Sequence, residues 1–418
     1  MASGTERKLA PAGIVNGQVK KLGRLLLAGL AWLIVLAVVA DLARHHGRYG
    51  WDFRVYYDAA IAIGRGLDVY DPSVRAEIAG FRSPLVFAYP PVTAHLIRPF
   101  TLMAYPFAYL SWLALKLAAL AALVLVWRRL VPLDAGAGTV LFGLLAFAGA
   151  IHQDLLTGNV SLFEQLLLWS GVLALVRGHD VAFAILVAVA AQLKLTPIAF
   201  LAVLPFARRP VRLTPLLVGA ATFAALLATN ALEPAQLERY LAQSPPLHER
   251  GRLNPSGLAL ARDVTDAFAE EGARLPAGAA EAVYGAIVAL VAGAALAALL
   301  RHRRRPAGPD VVRVSLLAAA VYAVTLPRLK PYAAIVLLPP TLFVLGRARE
   351  RVLVPLAAVL ALLPLRDSLL PFATHFRLVL IYLPWIAGTV VVWALVRELW
   401  DEPLSGVERS RTPAGPAA

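Results

Sequence analysis

Long apolar blocks alternate with short polar turns from residue 24 almost to the carboxyl terminus. A helix needs about 20 apolar residues to cross a bilayer core, fewer when it is short or buried. On that ruler the blocks predict spans near 24–41, 105–127, 137–151, 160–176, 180–195, 197–208, 213–230, 281–300, 311–326, 332–346, 352–365 and 376–397. The pair 180–195 and 197–208 is short and meets at "KLTP", where Pro197 breaks the helix. Two long polar segments, 42–104 and 231–280, interrupt the pattern. The predicted fold class is an all-α polytopic membrane protein: a bundle of about 12 transmembrane helices over residues 24–397, with tails at 1–23 and 398–418.

Charge supplies the orientation. Basic residues collect in short turns, "RR" at 128–129, "RRPVR" at 208–212, "RHRRR" at 301–305 and "GRARER" at 346–351. Alternating the spans from an inner amino terminus puts all four clusters inside, as the positive-inside rule requires. The same parity makes both tails cytoplasmic and both long segments exterior. Lys20, Lys21 and Arg24 before the first apolar run, with "VVADLA" after it, resemble a signal peptide. The later spans and the loop that follows favour an uncleaved first helix.

The composition fits, with 59% hydrophobic and 16% charged residues among 418. Membrane topology accounts for the net charge of +14, so no nucleic-acid partner is expected. The absence of cysteine excludes disulfides, thiol nucleophiles and thiolate metal sites. No metal-ligand constellation and no glycine-rich phosphate fingerprint after a strand stands out, so neither a cofactor nor a metal is expected.

The first exterior segment opens with "WDFRVYYDAAIAIGRGLDVYDP" at 51–72. Phe53, Tyr56, Tyr57, Ala60, Ile61 and Gly64 follow helical spacing, with Arg54, Asp58 and Arg65 largely opposite, which predicts an amphipathic interfacial helix. Asp52 stands at its start, where Asp is a favoured N-cap. An ionised, rigidly held carboxylate there also meets the needs of a general base. Asp58, Asp68 and Asp71 read as solvated or turn-forming acids. Lys194 ends an apolar helix in "AAQLKLTP", so either it snorkels to the surface or it serves a site with a partner of opposite charge. Arg328 and Lys330 share one exterior turn, "PRLKPY", against the inside bias, and two cations there suit a phosphate. His95, His152 and His248 are possible helpers. "NVS" at 159–161 fits the glycosylation pattern but lies at a helix mouth, where Asn159 more plausibly bonds the loop or a sugar.

In order along the chain, "DFRVYYDAAIAIGRGLDVYDP", "FAYPPVTAHLIRPF", "GNVSLFEQLLL", "AAQLKLTPIAFLAVLP", "NPSGLALAR" and "PRLKPYAAIVLLPP" resemble glycosyltransferase family 87, polytopic enzymes of the GT-C class. The resemblance implies transfer of a hexose, often mannose, from a polyprenyl-phosphate donor to a lipid or glycan acceptor at the outer leaflet. It also implies that the first-loop aspartate, here Asp52, is the catalytic base. On that reading Arg328, Lys330 and Lys194 hold the donor phosphate. Tyr56, Tyr57, Tyr89, Asn159, Asn254 and Tyr332, which lie within the motifs, contact substrate. The alternative class is a transporter or flippase of an anionic lipid-linked solute. It explains bundle and cations but not the placed carboxylate, and the halves show no internal repeat. A purely structural assembly partner would depend on no single polar residue.

Overall fold

The computed structural model describes residues 12–45, 47–81, 84–131, 137–243, 249–305, 308–347 and 376–401, with 360, 363 and 369–372 between them. His248, most of the expected span at 352–365 and most of the carboxyl tail lie outside the described residues. Within them every regular element is a helix.

Five helices are long and apolar enough to cross a membrane: α1 (Ala12–Arg44, apolar from Lys21), α5 (Tyr105–Leu130), α10 (Leu213–Ala228, continued to Leu232 by a 3₁₀ turn), α13 (Ala279–Arg303) and α17 (Leu383–Asp401). α5 illustrates the cause. Its 26 residues extend about 39 Å at 1.5 Å each, and Arg128 and Arg129 close its carboxyl end, where the helix dipole favours cations. Only 11% of the apolar stretch of α1 is buried against 56% for α17, which sets α1 at the periphery and α17 in the core. Shorter apolar helices complete the bundle: α8 (Asp180–Leu193), the 3₁₀ stretch from Thr196 running into α9 (Leu204–Ala207), α14 (Val311–Thr325), and the 3₁₀ stretch from Pro331 running into α15 (Leu338–Arg347). α6 (Ala137–Thr157) and α7 (Ser161–Val176) form a sixth span if counted together, bent by 117°. Twelve full spans thus remain a hydropathy expectation; the structure shows several.

The bend puts Gly158, Asn159 and Val160 at an elbow, because α6 runs six residues past its predicted end at 151. Gly158 has φ +74°, and a Cβ there would meet Phe53 Cβ at 2.8 Å. Lys116 of α5, fully buried, holds the elbow: its Nζ lies 2.7 Å from Asp154 Oδ2 and donates to Asn159 O at 2.6 Å. Trp112 Nε1 donates to Gly158 O at 2.9 Å.

The two long segments meet at one end of the bundle. The first holds α2 (Trp51–Gly64), α3 (Pro72–Ala79) and α4 (Pro91–Ile97); the second holds α11 (Pro234–Ala242) and α12 (Gly257–Glu270). Gln236 of α11 donates to Leu67 O at 2.9 Å and accepts from Val69 N, and Asn230 Oδ1 accepts from Val92 N at 3.0 Å. Arg239 pairs with Asp68 at 2.8 Å.

α2 departs from its predicted form. It begins at Trp51, and its cap position is Gly50, at φ +75° with no side-chain hydrogen bond, so Asp52 is not the N-cap. A Cβ at Gly50 would run into the Tyr109 ring, which explains glycine there. Nor is α2 half-exposed at an interface, because Val55, Ala59 and Ala62 are buried along with Phe53, Tyr56, Tyr57 and Ala60 of the predicted apolar face. Asp58 is buried rather than solvated: Arg54 Nε donates to both its oxygens, at 2.9 and 3.0 Å, and burial raises its pKa to about 6 against that pull. Asp71 does form a turn, capping α3 through Ser73 N at 2.7 Å.

Candidate active site

Beneath α2 lies a cavity of about 530 Å³, walled by the first long segment, the α6–α7 elbow, the turn after α8 and the turn before α15. Asp52, Tyr56, Tyr89, Asn159, Lys194, Arg328, Lys330 and Tyr332 all line it. These eight expected site residues come from five stretches of chain.

Asp52 sits in the first turn of α2, and its aim is fixed from below. Phe53, the next residue, stacks on Trp112 at 5.0 Å and meets Phe100 edge-on at 5.8 Å, clamping the start of the helix onto α5. Asn159 Nδ2 donates to Asp52 Oδ2 at 2.8 Å. The amide cannot turn over without loss, because its Oδ1 accepts from Ser161 N at 3.1 Å and Ser161 Oγ at 2.9 Å. Tyr56 and Tyr89 hydroxyls, bonded to each other at 2.9 Å, complete the surround of Nδ2 at 3.0 and 3.2 Å. Asp52 Oδ1 has no hydrogen-bond partner among the described residues. Burial pushes the Asp52 pKa above the ordinary carboxylate value, while the Asn159 bond and the charges of Lys116, Lys330 and Lys194 pull it down. A carboxylate that is oriented and made more basic is suited to accept a proton.

The cations are paired. Lys194 Nζ is 2.8 Å from Glu164 Oε2, bonds Ser161 Oγ at 2.5 Å and lies 5.1 Å from the Tyr332 ring centre. This is the opposite charge expected for an ionisable residue at a helix end. Arg328 Nε donates to Glu249 Oε2 at 2.8 Å, and Lys330 Nζ reaches both Glu249 oxygens, at 2.8 and 2.7 Å. Burial would raise the Glu249 pKa, but the bonds from Arg328 and Lys330 outweigh it and hold the carboxyl below its usual range.

Two expected contacts do not line the cavity. Tyr57 turns away, donating to Met103 O at 2.7 Å against Tyr105. Asn254, fully buried, donates to Glu249 O at 2.9 Å and accepts from Leu329 N at 2.8 Å, stapling one wall to another. His95 faces Glu233 at 3.4 Å, and neither it nor His152 lines the cavity. Among the described residues no three His, Asp or Glu side chains converge on a metal position. Glu164 and Glu249 escaped the sequence reading. Glu164 carried a signal, a lone acid at the start of an apolar helix; Glu249 lies in a polar loop where nothing marks it.

The helical bundle, with helices long and apolar enough to span a membrane, thus holds one cavity lined by three carboxylates, Asp52, Glu164 and Glu249, and three cations, Lys194, Arg328 and Lys330. Residues 87–327, more than half of the chain, match glycosyltransferase family 87, and the chain belongs to that family. It is a glycosyltransferase. The match begins at Phe87 and ends at Pro327, so Asp52, Arg328 and Lys330 lie outside it. No curated protein and no solved structure is matched by the chain.

Proposed function

We propose that the protein transfers a hexose, mannose first among candidates, from a polyprenyl-phosphate carrier to a hydroxyl of a lipid or glycan acceptor at the exterior face of the cell membrane. The observation that carries this reading is the single cavity lined by Asp52 and by Lys194, Arg328 and Lys330. The acceptor O–H gives its proton to Asp52 as its oxygen bonds the anomeric carbon from the face opposite the phosphate. The anomeric carbon–oxygen bond to phosphate breaks, inverting that carbon, and the phosphate leaves with the electron pair. Its growing negative charge falls beside Arg328, Lys330 and Lys194, which stabilises the transition state more than the ground state. A sugar on a lipid phosphate needs no nucleotide pocket, and its apolar chain would lie among the helices.

Purified protein supplied with radiolabelled polyprenyl-phosphate hexoses and extracted acceptors tests the reaction. Label in an acceptor supports it; label moved only between leaflets identifies a flippase instead. The orientation has its own test in a chain without cysteine. Ser73, exposed in α3, becomes a single reporter as Ser73→Cys. Labelling of intact cells from outside is expected; labelling only after the inner face is opened would reverse the topology.

A further inference from the structure

We propose that Glu249 competes with the substrate phosphate for Arg328 and Lys330, setting donor affinity and speeding release of the spent carrier. The inference rests on the reading above, in which those two cations receive the phosphate.

A carboxylate already sits where an anion would bind. Arg328 and Lys330 close on Glu249 at 2.7–2.8 Å, across 79 and 81 positions of sequence. All three residues line the cavity, and their side chains are partly open to it, at 31%, 18% and 29% exposure for Arg328, Lys330 and Glu249. An arriving phosphate therefore meets cations that are satisfied, and binding exchanges one anion for another. The depressed pKa keeps Glu249 charged and in competition at neutral pH.

The exchange needs little movement of the backbone. Asn254 bonds both Glu249 O and Leu329 N, and Ser256 Oγ donates to Pro327 O at 2.7 Å. These staples hold the segment carrying Glu249 against the turn carrying the cations. Rotation of the glutamate side chain alone uncovers Arg328 and Lys330. Because it stays tethered, the carboxylate returns at a high effective concentration, typically millimolar or more.

Such a competitor matters most after transfer. The donor phosphodiester carries one negative charge, whereas the released carrier phosphate is a monoester with about −1.5 to −2 near neutral pH. Two unopposed cations would hold the product more tightly than the donor. Glu249 weakens both and so limits retention of the product.

Dodecyl phosphate, a single-chain phosphate monoester, is the probe. Its binding to the full-length protein in detergent, measured by calorimetry, is expected to tighten about fivefold to tenfold in Glu249→Gln, the scale of losing one partly exposed charge-assisted competitor. Glu249→Ala removes any residual amide bonding and should act in the same direction, with thermal unfolding confirming the fold of both. Donor KM should fall in both variants while the steady-state rate drops relative to the single-turnover rate. Unchanged or weaker binding in both variants, with Arg328→Ala/Lys330→Ala still abolishing it, would overturn the role of Glu249 and leave the phosphate site standing. Binding indifferent to Arg328→Ala/Lys330→Ala would overturn the phosphate site and the competitor together.

Discussion

Two lysines of this protein each sit against a carboxylate, and the pairs differ in what surrounds them. Lys116 and Asp154 are sealed, at 0% side-chain exposure each, with Lys116 also bonding the elbow carbonyl of Asn159. Lys194 and Glu164, at 22% and 3%, border the cavity under an aromatic ring. Separation is nearly the same, 2.7 and 2.8 Å, so distance does not distinguish them. Access does. A pair with no route to solvent serves to hold backbone in place, here the bend that aims Asn159 at Asp52. A pair open on one side keeps a charge that a ligand can use. The contrast makes Lys116 a positioning residue and Lys194 a candidate ligand contact.

Breaking the sealed pair on one side should have the larger effect on the fold. Lys116→Met leaves Asp154 buried without its counter-charge, a change that typically costs about 3–5 kcal/mol. Thermal unfolding in detergent should show a strongly destabilised or unrecoverable protein. Near-normal stability would mean that the elbow does not depend on the pair.

Next comes the cation pair of the turn after α14. Arg328→Ala/Lys330→Ala should fold and lose transfer by roughly a hundred- to a thousandfold, since stabilisation of developing charge in a poorly hydrated site is worth about 2–4 kcal/mol. Unaltered kinetics would move the phosphate to Lys194. The mildest effect is expected at the open lysine pair once both partners are neutralised. Lys194→Met/Glu164→Gln leaves no orphaned charge. Its stability should stay within about 1 kcal/mol of the parent while donor use falls by roughly tenfold, read as a rise in KM. A collapse like that of Lys116→Met would erase the distinction between the pairs.

What the sequence disclosed depended on how local the cause was. The membrane class and the long helices were legible because hydropathy acts over consecutive residues. Part of the cavity wall was legible too: Lys194, Arg328 and Lys330 are cations where a span or a charge rule makes them conspicuous, and Asp52 stands at the start of a helix in a motif that resembles the family's. Asp58 was misread because its burial comes from Arg54 on its own helix and from α3 packed above, which the alternation of α2 does not reveal. The start of α2 was misplaced because Gly50, in a left-handed conformation pressed against Tyr109, turns the chain into the helix without any capping side chain. Glu249 was invisible because its partners lie some eighty residues away.

The central claim is that α2, the elbow and the sealed pair exist to present one carboxylate to a sugar. Asp52→Asn tests it most directly, because asparagine keeps the size and can still accept the Asn159 bond, and only the proton acceptor is lost. Single-turnover transfer should fall by about a hundred- to ten-thousandfold while folding and donor binding persist, the range typical of a removed general base. In the parent, the acid limb of the rate profile should lie above the ordinary carboxylate pKa, since burial raises that of Asp52 and only the ionised form accepts a proton. Asp71→Asn, a cap that asparagine fills about as well, is the silent control. An Asp52→Asn enzyme that transfers sugar at near-parental rate would contradict the account.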